Sequence, residues 1–195
     1  MEDQSGYDKV RLRLNGQAAL LMHNGAMADK RNPFVQSIGK ITGKGKNKTD
    51  ADLLELSRLE FLGGIYANGN GPMLPAELLF ATLLNGAKKS KQGPVFKAGV
   101  IIENHADLIY EGPRSPEKMW KSGDYHYTCR AKVGQSSVMR TRPRFDEWAV
   151  EFDVSFLPEV VDRETVIEAA NKAGLMVGLG DWRPQYGRFT VEVVE

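Results

Sequence analysis

Between Trp148 and Phe156 every second residue is large and apolar: Trp148, Val150, Phe152, Val154 and Phe156 alternate with Ala149, Glu151, Asp153 and Ser155. A period of two places all five on one side of a strand, with one face buried and one solvated. Val10, Leu12 and Leu14 repeat the pattern against Arg11, Arg13 and Asn15, and Asn15-Gly16 then supplies a turn before the apolar stretch from Ala18 to Met22. This earlier segment predicts a central first strand.

Other segments carry the period of a helix. Thr49 or Asp50 caps one that runs to about Leu62, with Leu53, Leu56, Leu59 and Leu62 in step and Gly63-Gly64 as its end. Pro75 suits the first turn of a second, whose face of Leu78, Leu79, Thr82 and Leu83 leads to Asn85-Gly86. Residues 100–102 and 108–110 read as short strands, and 115–121 as a brief helix opened by Pro116. Tyr125 to Val133 reads as a strand that pairs with 148–156 across an irregular connection at 134–144. A helix from Asp162 or Arg163 to Ala173 and a last strand from Arg188 to Val194 complete the order. Stripped of insertions this is β-α-β-β-α-β, an α+β, ferredoxin-like core of the kind used by RNA-recognition-type domains. The expected organisation is one domain over 1–195, with a long basic loop inserted at 23–49 and a small insertion at 111–124.

The 195 residues can bury a core without staples, and the net charge of +1 conceals a segregation of signs. Lys40, Lys44, Lys46 and Lys48 occur without an intervening acid, as do Lys88, Lys89, Lys91 and Lys97. Arg130, Lys132, Arg140, Arg142 and Arg144 form a third basic group, whereas acids gather at 50–60, 146–153 and 159–168. Segregation of this kind gives a neutral chain a strongly positive face. A lone Cys129 favours a reducing compartment, no apolar run reaches the ~20 residues a membrane span needs, and the polar N-terminus lacks a signal peptide's pattern. Those features predict a cytoplasmic protein.

The segment from Gly174 to Phe189 combines glycines that let backbone N–H groups approach a phosphate with Trp182, Arg183, Tyr186 and Arg188. The plainer reading is that Trp182 and Phe189 are core residues and the glycines only turn the chain. Gly178-Leu179-Gly180 precedes a strand instead of opening a helix, so it is not a dinucleotide fingerprint, and Gly93 to Gly99 lacks the ending of a P-loop. If 140–144 is extended, Arg140, Arg142 and Arg144 project on one side, to hold phosphates or to guard a sheet edge against aggregation. His126 and Cys129 make a weak pair for zinc, and Glu151 with Asp153 is what the wet side of a strand shows in any case. Asp181 reads as a cap or a partner for Arg183. No catalytic residue, metal or cofactor is expected.

Four stretches resemble a family of small proteins encoded by tailed bacteriophages: Leu12 to Gly25; Leu74-Pro75-Ala76-Glu77 with Asn85-Gly86-Ala87-Lys88; Val138 to Pro143; and Gly178-Leu179-Gly180-Asp181-Trp182-Arg183-Pro184 with Tyr186-Gly187-Arg188-Phe189. More distantly, the order of elements, the glycine-rich loop after the second core helix and the insertion behind the first strand resemble the RAMP superfamily. That resemblance implies RNA-recognition-type domains that bind RNA and polymerise along a strand. The expected function is therefore non-catalytic binding of single-stranded DNA or RNA in the host bacterial cytoplasm, with further copies of the chain as partners. Its surface would comprise Lys40, Lys44, Lys46, Lys48, Lys88, Lys89, Arg140, Arg142, Arg144, Trp182, Arg183, Tyr186 and Arg188. The separated charges suit equally a factor that blocks or scaffolds a phage or host protein, and a metal-dependent nuclease is the third alternative.

Overall fold

Both alternating segments are strands, and they pair with each other. The computed structural model describes residues 6–133 and 136–194, without the side chains of Lys132, Val133 and Ser136. Residues 1–5, Gly134 and the Lys132 side chain, on which the sequence reading drew, lie outside the described residues.

In chain order the elements begin with strands β1 (Asp8–Gly16) and β2 (Leu20–Leu21), a 3-10 turn at Gly25–Ala28 and helix α1 (Pro33–Thr42). A second 3-10 turn at Gly45–Asn47 leads to α2 (Asp50–Gly64), β3 (Ala67–Asn68), β4 (Gly71–Leu74), α3 (Ala76–Lys89) and α4 (Gly93–Gly99). Then come β5 (Val100–Ile101), β6 (Ala106–Ile109), α5 (Pro116–Ser122), β7 (His126–Val133), β8 (Ser136–Phe145) and β9 (Ala149–Phe156). Helix α6 (Arg163–Lys172), a π-helical turn at Ala173–Val177 and β10 (Phe189–Val193) close the chain. The fold is mixed α+β, with strands in two sheets. It divides into two compact units, one of Met1–Leu20, Met73–Glu111 and Asp146–Glu195, the other of Leu21–Pro72 and Gly112–Phe145.

In the first unit the strand order is β10-β1-β9-β6-β4, with β5 also beside β9. All these pairings are antiparallel. Val10, Leu12 and Leu14 stand opposite Val154, Phe152 and Val150, so the two alternations share one buried face. Leu79, Leu83 and Ala87 of α3 and Val166, Ala169 and Ala170 of α6 add to this core. Asp162 caps α6 by accepting from the Thr165 N–H at 2.7 Å. Gly86 does not end α3 as the sequence suggested. A Cβ there would meet the Ala169 carbonyl oxygen at 2.0 Å, so the glycine permits a close crossing with α6 and the helix continues to Lys89.

The second unit holds a three-stranded sheet, β2-β8-β7. Two expectations are corrected here. The stretch 134–144 is not an irregular connection: β8 occupies Ser136–Phe145 and pairs with β7, whereas β9 pairs with β1. Thr128 and Thr141 share a hydroxyl bond of 2.8 Å across that hairpin, a polar pairing that apolar alternation cannot reveal. Nor is 25–48 a long loop, because Asn32 caps α1 by accepting from the Phe34 N–H at 2.9 Å and Pro33 opens it. Helix α2 starts on a capping box between Thr49 and Asp52 and packs on β8, where Gly64 lets it approach Pro143. Phe61 meets Trp120 at 5.6 Å and His126 at 6.4 Å between ring centres.

The turn that returns the chain to β10 depends on Gly187, whose φ is 70°. An alanine Cβ there would fall 1.7 Å from the Leu179 carbonyl oxygen. Gly187→Ala is expected to cost roughly 1–3 kcal/mol from backbone strain alone, read as a lower urea midpoint. An unchanged midpoint would mean that the turn relaxes freely.

Candidate nucleic-acid interface

After α6 the backbone folds tightly on itself. A Cβ on Gly174 would meet the Phe189 carbonyl oxygen at 2.1 Å, and one on Gly178 the Tyr186 oxygen at 2.7 Å. Leu179, fully buried, donates its N–H to Gly187 O at 2.8 Å, and Gly187 donates to Ala19 O at 2.8 Å. The glycines at 174, 178 and 187 are thus required by packing. Of the two aromatic side chains read as alternative core residues, Phe189 is core and meets Trp148 at 6.3 Å, whereas Trp182 is half-buried. Trp182 adopts a φ of 55°, with its N–H donated to Asp181 Oδ1 at 3.0 Å, and its ring lies 6.1 Å from that of Tyr186. Asp181 is therefore a local cap.

The two arginines of this segment differ. Arg188 donates through Nε to Pro184 O at 2.8 Å and through a terminal nitrogen to Leu175 O, strapping the turn to the end of the π-helical segment. Arg183 is exposed and faces a cleft of about 390 Å³ lined also by Asn85, Lys88, Lys89, Met176, Val177 and Pro184. The continuation of α3 through Gly86 is what brings Lys88 and Lys89 here, where they also suit the negative end of the helix. Three of the expected site residues, nearly a hundred positions apart in sequence, thus line one cleft.

In the second unit, Lys40 lies in the last turn of α1, and Lys46 lies in the following 3-10 turn. Lys48 donates to Gly45 O. Lys44 pairs with Asp52 at 2.5 Å. That ammonium, and then the Thr49 N–H, hold the Asp52 carboxyl at about 2, below its ordinary 3.8. Arg140, Arg142 and Arg144 do share one face of β8, opposite Cys129 and Tyr127 of β7, and Arg144 lies 5.3 Å above the Tyr127 ring. β8 has β7 on one side and the two-residue β2 on the other.

Sequence reasoning missed Glu60. It is buried, accepts the Arg140 guanidinium on Oε1 at 2.5 Å and the Thr141 N–H on Oε2 at 2.8 Å, and so pins α2 to β8. An acid inside the apolar run Leu59-Glu60-Phe61-Leu62 was the available signal. His126 and Cys129 project from opposite faces of β7, as positions three apart on a strand must, and cannot share a metal. Glu151 and Asp153 are engaged by Arg11 and Arg13, with Arg13 2.5 Å from Glu151. The open face of the first unit's sheet presents Arg11, Arg13, Asn15, Glu151, Asp153, Thr190, Glu192, Asp107 and Ile109. None of these named residues is aromatic, so they offer no base-stacking surface of the kind an RNA-recognition-type sheet carries.

No helix among the described residues is long and apolar enough to cross a membrane. No protein-family model matches the chain, and no curated protein matches it.

Substitutions at two positions test the local electrostatics. Glu60→Ala leaves Arg140 without its acceptor and is expected to cost about 3 kcal/mol in denaturant melts, more than Glu60→Gln. The Asp52 carboxyl has a lower pKa folded than unfolded, so its contribution to stability is complete above about pH 4 and fades as pH falls toward 2. The stability gap between the native protein and Asp52→Asn should close over that interval in acid titrations.

Proposed function

We propose that the chain is a non-catalytic protein that binds single-stranded nucleic acid, built on a ferredoxin-like core. In the β-α-β-β-α-β scheme the core elements are β1, α3, β6, β9, α6 and β10. Their observed order, β10-β1-β9-β6, runs fourth, first, third, second with every neighbour antiparallel, which supports the ferredoxin-like reading. The phage origin and the host cytoplasm belong to the same proposal and rest on the sequence resemblance.

The observation that carries the binding reading is the cleft where Lys88, Lys89 and Arg183 converge. Lysines act there as point charges, and the arginine fork suits a phosphate oxygen pair. The Trp182 and Tyr186 rings, one and three positions from Arg183, offer π-faces to bases of any identity. Arg188 is given a supporting part, since its guanidinium holds the turn that presents Arg183.

If all three cations contact phosphates, log K should fall with log salt at a slope of about −2 from this cleft alone. Replacing Lys88, Lys89 and Arg183 by alanine should flatten the slope by that amount in fluorescence-polarisation titrations with single-stranded DNA and RNA. An affinity indifferent to salt would sink the proposal. The sizes of complexes on strands of increasing length would show whether copies assemble along them.

A second reading has its own support. Met176, 53% exposed, lines this basic cleft, and its neighbour Leu175, 62% exposed, lines a separate cleft along α6, so two large apolar side chains stand open beside the cations. A phage or host protein with an acidic, apolar segment would cover them. Capture of such a partner after nuclease treatment, with no affinity for oligonucleotides, favours this reading over the first.

A further inference from the structure

Helix α1 carries Phe34, Val35, Ile38 and Ile41 along one stripe, the pattern of a helix that buries its apolar face. None of the four is buried. Val35 and Ile38 instead line a cleft of about 340 Å³ within the second unit, together with His23, Met27, Glu60, Arg140 and Arg142. Its volume lies at the lower end of the range for small-molecule sites.

The lining combines two chemistries. Val35, Ile38 and the adaptable thioether of Met27 offer aliphatic contact to a flat ring. The guanidinium groups of Arg140 and Arg142 add planar stacking surfaces, and these two with Glu60 give the lining a formal charge of +1. Glu60 is fixed by its bonds to Arg140 and the Thr141 N–H, so it holds the Arg140 plane in position on β8. A ligand that satisfies both parts has an unsaturated ring and a single anionic group.

We propose that this cleft is a nucleotide pocket, in which the base packs against Val35, Ile38 and Met27 and the attached phosphate is held at Arg142. The same chemistry is offered by a free nucleoside monophosphate and by one nucleotide of a strand. The strand as source rests on the function proposed above; the pocket itself does not. Arg140, expected from sequence to bind phosphate, becomes the residue that positions the base.

The test compares an intact single-stranded oligonucleotide, an abasic one of equal length, and nucleoside monophosphates, each titrated against the folded protein. Intact oligonucleotide should bind about tenfold more tightly than abasic, the effect of taking one base out of water against aliphatic side chains. With Trp182 and Tyr186 replaced by alanine throughout, so that their rings add nothing to the ratio, Ile38→Trp fills the cleft and should erase that ratio while leaving the abasic affinity unchanged. Met27→Ala, which removes one contact to the base and leaves Arg142 in place, is a milder second variant and should reduce the ratio without unfolding the protein. A ratio of one in the protein without those two rings, or a ratio that survives both variants, overturns the pocket while strand binding stands. Monophosphate binding that Ile38→Trp abolishes, with no oligonucleotide affinity, supports the pocket and overturns the strand. Binding of no probe overturns both.

Discussion

The antiparallel register between β1 and β9 governs the rest of the first unit. With Leu12 opposite Phe152 and Leu14 opposite Val150, every large apolar side chain of both strands points to the face that α3 and α6 cover. A slip of one residue would bring Arg11, Arg13, Glu151 and Asp153 into that core, so the register is fixed by burial on one side and by charge on the other. The ion pairs on the open face are consistent with this arrangement but contribute modestly, because they are partly exposed. β10 then adds to the free edge of β1, and the turn leading into it must fit beneath β10's own first residue. Gly174 meets that demand, because only a missing side chain admits the Phe189 carbonyl.

This constraint separates architecture from chemistry in the C-terminal segment. Glycine-rich backbone beside arginines invites a phosphate-binding reading, yet here the glycines at 174, 178 and 187 are occupied by contacts with the segment's own backbone, and Arg188 by two carbonyl oxygens. What remains for a ligand is Arg183, presented toward Lys88 and Lys89. In the second unit Glu60 plays a comparable part: it takes Arg140 into a fixed ion pair, in the cleft that Arg142 lines with Val35 and Ile38 of α1.

Much of the element order was legible from the chain. The caps at Thr49 and Asp162, the short strands near 100 and 108 and the last strand all stand where hydrophobic period and capping residues put them. β8 escaped because its alternation is of arginine, threonine and proline instead of apolar residues, and its stability comes from a partner strand and from a buried acid eighty positions away. Helix α1 escaped because glycines and lysines surround its four apolar residues, while the Asn32-Pro33 start that defines it is brief. Gly86 was misread because a glycine's local effect is to end a helix, whereas its role here is set by a second helix.

The sequence by itself determined which faces of β1 and β9 are buried, where α2, α3, α5 and α6 begin, and that positive charge is grouped, since period, capping and charge are properties of neighbouring residues. Only the tertiary structure decided that β9 joins β1 and not β7, that Lys88 and Lys89 share a cleft with Arg183, and that Arg140 is bound to Glu60. Those outcomes depend on contacts between residues far apart in the chain, where packing volume and the need to satisfy a buried carboxylate choose among partners that local pattern leaves equivalent.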